Sequence, residues 1–341
     1  MTDLLLDPWA EAVDEFPLLA SDEAKLRALV HYAVLAPSGH NTQPWRFRLR
    51  GDALELRADR SRALPVGDPA DREIVMSLGA ALFHLRLAAR RFGHHLLVRT
   101  FPGLDDRDLV ASVQLGADEP PTALERRLFA VIPRRHTCRL PFEARVVSFP
   151  VVEDLRRAAA AEGAWAWRAT DEAQATLADL VAEGDRRLLA DRRFRRELAA
   201  WLHPNHSTQR DGVPGHAQGA GDIASVFAPF VLRNFDVGPA QAVRDHDLAL
   251  AAPLLLVLGS DADQSADWLV AGQALARLLL TARDEGLHAS FLNQPIEVEE
   301  LRVRLRSLLG RPGMPQLILR LGYGGDVRST PRRPVSEVLE A

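Results

Sequence analysis

One cysteine, Cys138, and one lysine, Lys25, are all that the 341 residues contain of either type. A lone cysteine excludes an intrachain disulfide and a thiolate metal cage, and fits a cytoplasmic setting. Long apolar runs are missing too. No uninterrupted stretch approaches the ~20 residues of a membrane-spanning helix, and the opening MTDLLLDPWAEAVDEF has acidic residues where a signal peptide would need basic ones. Positive charge comes almost entirely from arginine, but the formal balance of -4 offers no global attraction to nucleic acid or to a membrane surface. The signatures GxSxG, HExxH and paired CxxC are absent, so no nucleophile or catalytic zinc is announced. GHAQGAGD lacks the Lys and Ser or Thr of a P-loop. His203, His206 and His216 have no carboxylate at ligand spacing, and HPNH has a proline inside, so no metal site is expected.

What is present suits a soluble globular protein, with 47% hydrophobic and 26% charged residues and enough length for one large core or two ordinary domains. Leu26, Leu29, Val30, Ala33 and Val34 have helical spacing, and Pro37 should stop that helix. Ser38, Gly39, His40, Asn41 and Thr42 then supply turn chemistry, and Pro44 to Leu49 alternates apolar with basic residues as a half-buried strand does. The stretch APSGHNTQPWRF, Ala36 to Phe47, is thus a polar loop held between two packed elements. It reads either as a plain helix stop and strand start or as a functional loop.

Further on, Ala53–Ala58 reads as a strand, Asp59–Arg72 as a loop, Ile74–Phe92 as a small-residue helix ended by Gly93, and Leu96–Phe101 and Leu109–Leu115 as strands. A similar order returns late in the chain. APLLLVLGSD precedes an apolar helix within Gly272–Gly286, and LRLG follows it as VQLG follows the first. The same interval separates Gly79 from Gly93 and Gly272 from Gly286. This shared order predicts an internal duplication. Between the copies lie IPRRHTCRLPF, a strand-like VVSF, a helix over Val152–Ala161, and a strand with Trp165 and Trp167 on one face. A helical run over Glu172–Leu202 follows, in which DRRFRREL reads as a solvated or interface face. His203–Gln241, rich in glycine and proline, is the least regular region, and a connection of that length suggests a lid, a binding loop or disorder.

Three of these segments resemble the FMN-dependent nitroreductase family. Pro37, Ser38, Gly39, Asn41, Gln43, Pro44 and Trp45 match a serine-rich turn and NxQPW motif that lies against the flavin. Arg135, His136, Thr137 and Arg139 in RRHTCRLPF are similar to the cluster that holds the FMN phosphate and the polar end of the ring. Arg332 and Arg333 match terminal basic residues that also reach the phosphate. Phe291, Leu292, Asn293 and Gln294 match the segment facing the flavin N5 edge, with Asn and Gln where the family usually has Glu and Gly.

The resemblance is closer to the double-length Acg-like subgroup, and it implies the following. The fold is α+β, two similar mixed-sheet halves fused as an intramolecular pseudo-dimer. Residues 1–130 supply the ring-facing loop, and residues 131–341 supply the phosphate site with a lid at 203–241. The cofactor is FMN, one per chain. The reaction is two-electron flavin chemistry with NAD(P)H or an organic substrate, and no side chain acts as nucleophile. Two alternatives stay open, an FMN-sequestering protein with little turnover and a flavin-dependent dehydrogenase of a biosynthetic intermediate. A monomer can suffice, because one chain supplies both sides of the site.

Overall fold

The computed structural model describes residues 8–9, 16–103 and 105–340. Helix α1 (Asp22–Ala33) starts where the Ser21 hydroxyl accepts the Ala24 N–H, and buries Leu26, Leu29 and Val30. Strands β1 (Trp45–Arg50) and β2 (Ala53–Ala58) form an antiparallel hairpin. Trp45 and Phe47 point into the core while Arg46 and Arg48 stay exposed, as the alternation predicts. Helix α2 (Arg72–Arg91) begins under Asp68, whose carboxylate accepts Glu73 N at 2.8 Å and Ile74 N at 3.2 Å. Strands β3 (His94–Thr100) and β4 (Leu109–Asp118) follow, then α3 (Ala123–Ala130), started by a Thr122–Glu125 capping box.

The next segment departs from the sequence reading at VVSF. Phe149 opens helix α4 (Phe149–Ala160), because Ser148 stands at the N-cap and Pro150 suits the first turn. Strand β5 (Trp165–Arg168) is as expected. The long helical run is two helices, α5 (Asp171–Ala190) and α6 (Arg192–Ala200), broken at Asp191, whose carboxylate caps α6 by accepting Arg193 N at 2.7 Å. On α6, Phe194 and Arg195 are buried and Glu197 accepts Val66 N and Gly67 N, so DRRFRREL is an interface face with an exposed Arg193.

The region 203–241 is more regular than its composition suggests. Short strands β6 (Leu202–His203) and β7 (Val213–Pro214) pair in parallel, and helix α7 (Asp222–Asn234) runs on through Pro229. Its glycines mark boundaries rather than disorder: Gly221 is the N-cap of α7 and Gly238 opens α8 (Gly238–Leu250). The remainder is β8 (Leu254–Ser260), α9 (Ser265–Asp284), β9 (His288–Phe291), α10 (Gln294–Glu297), α11 (Glu299–Leu309), β10 (Met314–Gly322), α12 (Val335–Val338) and β11 (Leu339–Glu340). Among the described residues no helix is long and apolar enough to cross a membrane.

The two main sheets repeat one connectivity. The first has the order β11-β1-β2-β4-β3 and the second β5-β8-β10-β9. In each, a strand leads into a long helix, a second strand follows it, and a later strand returns antiparallel between those two. The helices of the two units, α2 and α9, pack on each other with Gly79 against Gly272. A Cβ on Gly79 would collide with Leu269 O, and one on Gly272 with Met76 O, so glycine at both positions permits backbone contact. Gly93 and Gly286 lie just beyond the ends of these helices with φ of 86° and 77°. The C-terminal strand crosses to the other unit, where β11 pairs in parallel with β1 at Phe47–Leu339.

Candidate active site

The loop between α1 and β1 has an unusual backbone. His40, Asn41 and Gln43 have φ of 45°, 57° and 52°, left-handed values that non-glycine residues seldom adopt. Such strain persists only where surrounding contacts over-determine it, and here side-chain amides do so. Ser38 Oγ accepts Gln43 N at 3.0 Å. Asn41 Nδ2 donates to Gly212 O at 2.9 Å and Pro331 O at 3.0 Å, while its Oδ1 accepts Arg332 Nη1 at 2.6 Å. Gln43 Nε2 donates to Arg210 O at 2.8 Å, and its Oε1 accepts Arg333 N at 2.8 Å. The motif's amides therefore tie the loop to segments 210–212 and 331–333.

Beside this loop lies a cavity of about 720 Å³, within the ~300–1,000 Å³ of small-molecule and cofactor sites. Its lining includes Pro37, Ser38, Gly39 and Asn41 of this loop, Arg135, Thr137 and Arg139, Leu292, Asn293 and Gln294, and Arg332. Both units of repeated connectivity thus contribute. Three residues of the sequence assignment lie behind the wall. Gln43 is fully buried and pairs with Arg333, whose guanidinium donates to Gln43 O and Glu337 O. His136 packs edge-on against Trp9 with ring centroids 4.5 Å apart. Asn293 lines the cavity, but its Oδ1 accepts Ile318 N at 3.0 Å. The apolar wall comes from Leu188 and Leu189 of α5, Phe227 and Val231 of α7, and Leu248 of α8.

One end of the cavity is strongly cationic. Arg135 and Arg332 are only 4% exposed, and among the described residues neither has a carboxylate partner. Arg135 donates a single long bond of 3.4 Å to Leu35 O. The Nε–H of each guanidinium is buried without an acceptor. Burial pushes the Arg135 pKa down to about 10 and, with the Arg135 charge adding to it, drives that of Arg332 well below the usual range. Burial also lowers Arg139 to about 10, and burial together with the Arg139 charge lowers His40 to about 4, so His40 is neutral near pH 7.

Several side chains here escape a reading of the sequence. Trp9 lies under the Arg332 guanidinium, 4.7 Å from its centre, and donates to Thr330 O at 2.7 Å. Glu73, Asp185, Asp245 and Glu297 also line the cavity. Burial raises the Glu73 carboxyl to about 7, with Asp68 adding to the effect, and raises Glu297 well above its ordinary value, with Glu73 adding. These acids are scattered singly over α2, α5, α8 and α10, and no spacing groups them. The histidines of 203–216 are engaged elsewhere: His203 with Asp211, His206 with Asp222 and His216 with Ser329 O.

The family model described as "Nitroreductase family" matches residues 132–323. A Mycobacterium tuberculosis protein provisionally named NAD(P)H nitroreductase Rv3131 is 33% identical over 94% of this chain and 92% of its own length. A second protein of that organism, provisionally named NAD(P)H nitroreductase acg, is 29% identical over 92% of this chain and 94% of its own. Among solved structures, the FMN-dependent nitroreductase NfnB from Mycobacterium smegmatis in complex with NADPH aligns at a TM-score of 0.41, with 16% identity over 64% of this chain and 97% of that one. A family match across most of the second unit, joined to relatives that span both, makes this α+β chain a member of the nitroreductase family.

Proposed function

We propose that the chain is an FMN-dependent oxidoreductase that takes electrons from NAD(P)H or an organic donor and passes them to a small organic acceptor. The observation that carries this reading is the pair of buried guanidinium groups, Arg135 and Arg332, without carboxylates and with unfilled Nε–H donors. Two adjacent cations in a low-dielectric wall are unfavourable unless an anion joins them. A phosphate monoester suits them, because guanidinium forks match its oxygens in pairs. On this reading Arg135, Arg332 and the Thr137 hydroxyl hold the FMN phosphate, and Ser38, Gly39 and Arg139 border the ring. Asn41, Gln43 and Arg333 brace the loop and Arg332 from behind. When bound, the flavin supplies the two-electron chemistry. The chain's own contribution is to orient it, to keep water from its apolar face through α5, α7 and α8, and to favour negative charge on the reduced ring through Arg139.

The repeated strand order and the Gly79–Gly272 contact support an internal duplication in which the cavity lies between two fused halves. A second reading, flavin sequestration, draws on α7, whose Phe227 and Val231 line the cavity together with other residues of the 203–241 segment. One experiment addresses both. Flavin released by heat from the purified protein should be FMN by chromatography, and anaerobic NADPH should bleach the bound flavin rapidly. FAD, or no flavin after reconstitution, would contradict the cofactor assignment. A persistently yellow solution would favour sequestration.

A further inference from the structure

Asp185 of α5 and Asp245 of α8 converge on a single side-chain amide. Gln294 Nε2 donates to Asp185 Oδ1 at 3.1 Å and to Asp245 Oδ2 at 2.9 Å. The carboxyls are 4% and 8% exposed, and both line the cavity. Glycine at the preceding position makes the approach possible: a Cβ on Gly184 would lie 2.7 Å from Gln294 Cβ and 2.9 Å from its carbonyl carbon. Asp185 Oδ2 is buried with no donor in reach. Its neighbour is the Asp245 carboxyl, with which Asp185 shares a side-chain hydrogen bond once one of the two carries a proton.

The surroundings treat the two acids differently. Asp185 meets the like charges of Asp245 and Glu297, opposed by Arg186 of its own helix. Burial raises the Asp245 carboxyl as well, but hydrogen bonds from Gln241 and Gln294 and the charges of Arg244, Arg320 and Arg139 oppose that rise. Two carboxyls held this close do not both ionise readily, so the pair retains a proton. The cations around Asp245 favour its charged form, which leaves the proton on Asp185. Burial first, and the Asp245 charge second, push the Asp185 carboxyl up to about 8. Environments that drive two neighbouring acids apart in this way mark an acid and its conjugate partner.

We propose that Asp185, clasped by Gln294 and partnered by Asp245, is a general acid that protonates the acceptor substrate in the cavity. The assignment rests on the oxidoreductase reading above. With a quinone as acceptor, both electrons and one hydrogen arrive as hydride from the reduced flavin. The second hydrogen is the Asp185 proton: its carboxyl O–H breaks as an O–H bond forms on the acceptor oxygen, and the product is the hydroquinone. Asp185 is left as a carboxylate and regains a proton from water.

The test uses the FMN-loaded full chain with p-benzoquinone as acceptor, and compares wild type with Asp185→Asn and Asp245→Asn. Isotope-edited infrared spectroscopy of the resting protein should show a protonated aspartic carboxyl near pH 7 that disappears as the pH rises past about 8 and is missing in Asp185→Asn. Flavin reoxidation by the quinone should slow in wild type over the same pH range. In Asp185→Asn it should be slower by about a hundredfold or more and lose that pH dependence. In Asp245→Asn the carboxyl signal should remain but titrate at lower pH. A wild-type protein with no protonated carboxyl at pH 7 overturns the proposal, as does Asp185→Asn with the wild-type rate and pH profile. If wild-type flavin passes no electrons to any acceptor, the oxidoreductase reading falls and takes the acid's role with it, while the infrared signal still reports on the carboxyl pair.

Discussion

Arg135 and Arg332 are held in place by backbone carbonyls, an asparagine and a tryptophan ring rather than by carboxylates. An arginine with that environment is poised for an external anion, whereas Arg193 already has its partner in Asp191 and is 80% exposed. Arg135→Ala should therefore weaken FMN binding by about 1.5–3 kcal/mol, roughly tenfold or more, from the loss of charge-assisted hydrogen bonds. Arg193→Ala should leave the affinity unchanged. Fluorescence titration of flavin-free protein checks this, and equal affinities in the two variants would mean that the phosphate lies elsewhere. At this scale the sequence was partly legible. Arg135, Thr137, Arg139 and Arg332, which line the cavity, were marked by resemblance to the family's motifs, since basic turn residues alone read as a surface turn in so Arg-rich a chain. Asp185 and Asp245 carried no such mark, since their proximity exists only once α5 and α8 have packed around Gln294.

Helices α2 and α9 meet through glycines, and that contact reverses an ordinary substitution rule. In an exposed helix interior Gly→Ala gains up to ~1 kcal/mol. At Gly272 the new methyl would collide with the Met76 carbonyl, a backbone atom that cannot rotate aside. Gly272→Ala should instead destabilise the protein by ~1–3 kcal/mol through forced separation of the two helices. Urea unfolding measures it, and a variant as stable as wild type would show that the helices slide apart freely. The interval shared by Gly79–Gly93 and Gly272–Gly286 was visible as a spacing because both pairs do the same two jobs, a close crossing and a left-handed cap. VVSF misled because apolar β-branched residues resemble a strand, while Ser148 at the N-cap and Pro150 in the first turn make Phe149 the start of a helix. The 203–241 region misled for the opposite reason: its glycines and prolines sit at element ends, and α7 between them tolerates Pro229.

Across the whole molecule, the cavity draws its lining from Pro37–Asn41, from Arg135–Arg139 and from Thr330–Arg332, so no one segment completes it. The terminal segment reaches the first sheet through β11, which carries Arg332 and Arg333 back to the loop braced by Asn41 and Gln43. One ring-facing loop and one phosphate cluster per chain, as proposed above, predict one flavin per chain, bound between the halves without help from a second copy. The direct measurement is flavin absorbance against protein concentration on an FMN-saturated sample, with the particle mass determined in solution. The account predicts one FMN per chain, retained by a monomer. Two flavins per chain, or half an equivalent in an obligate dimer, would contradict it.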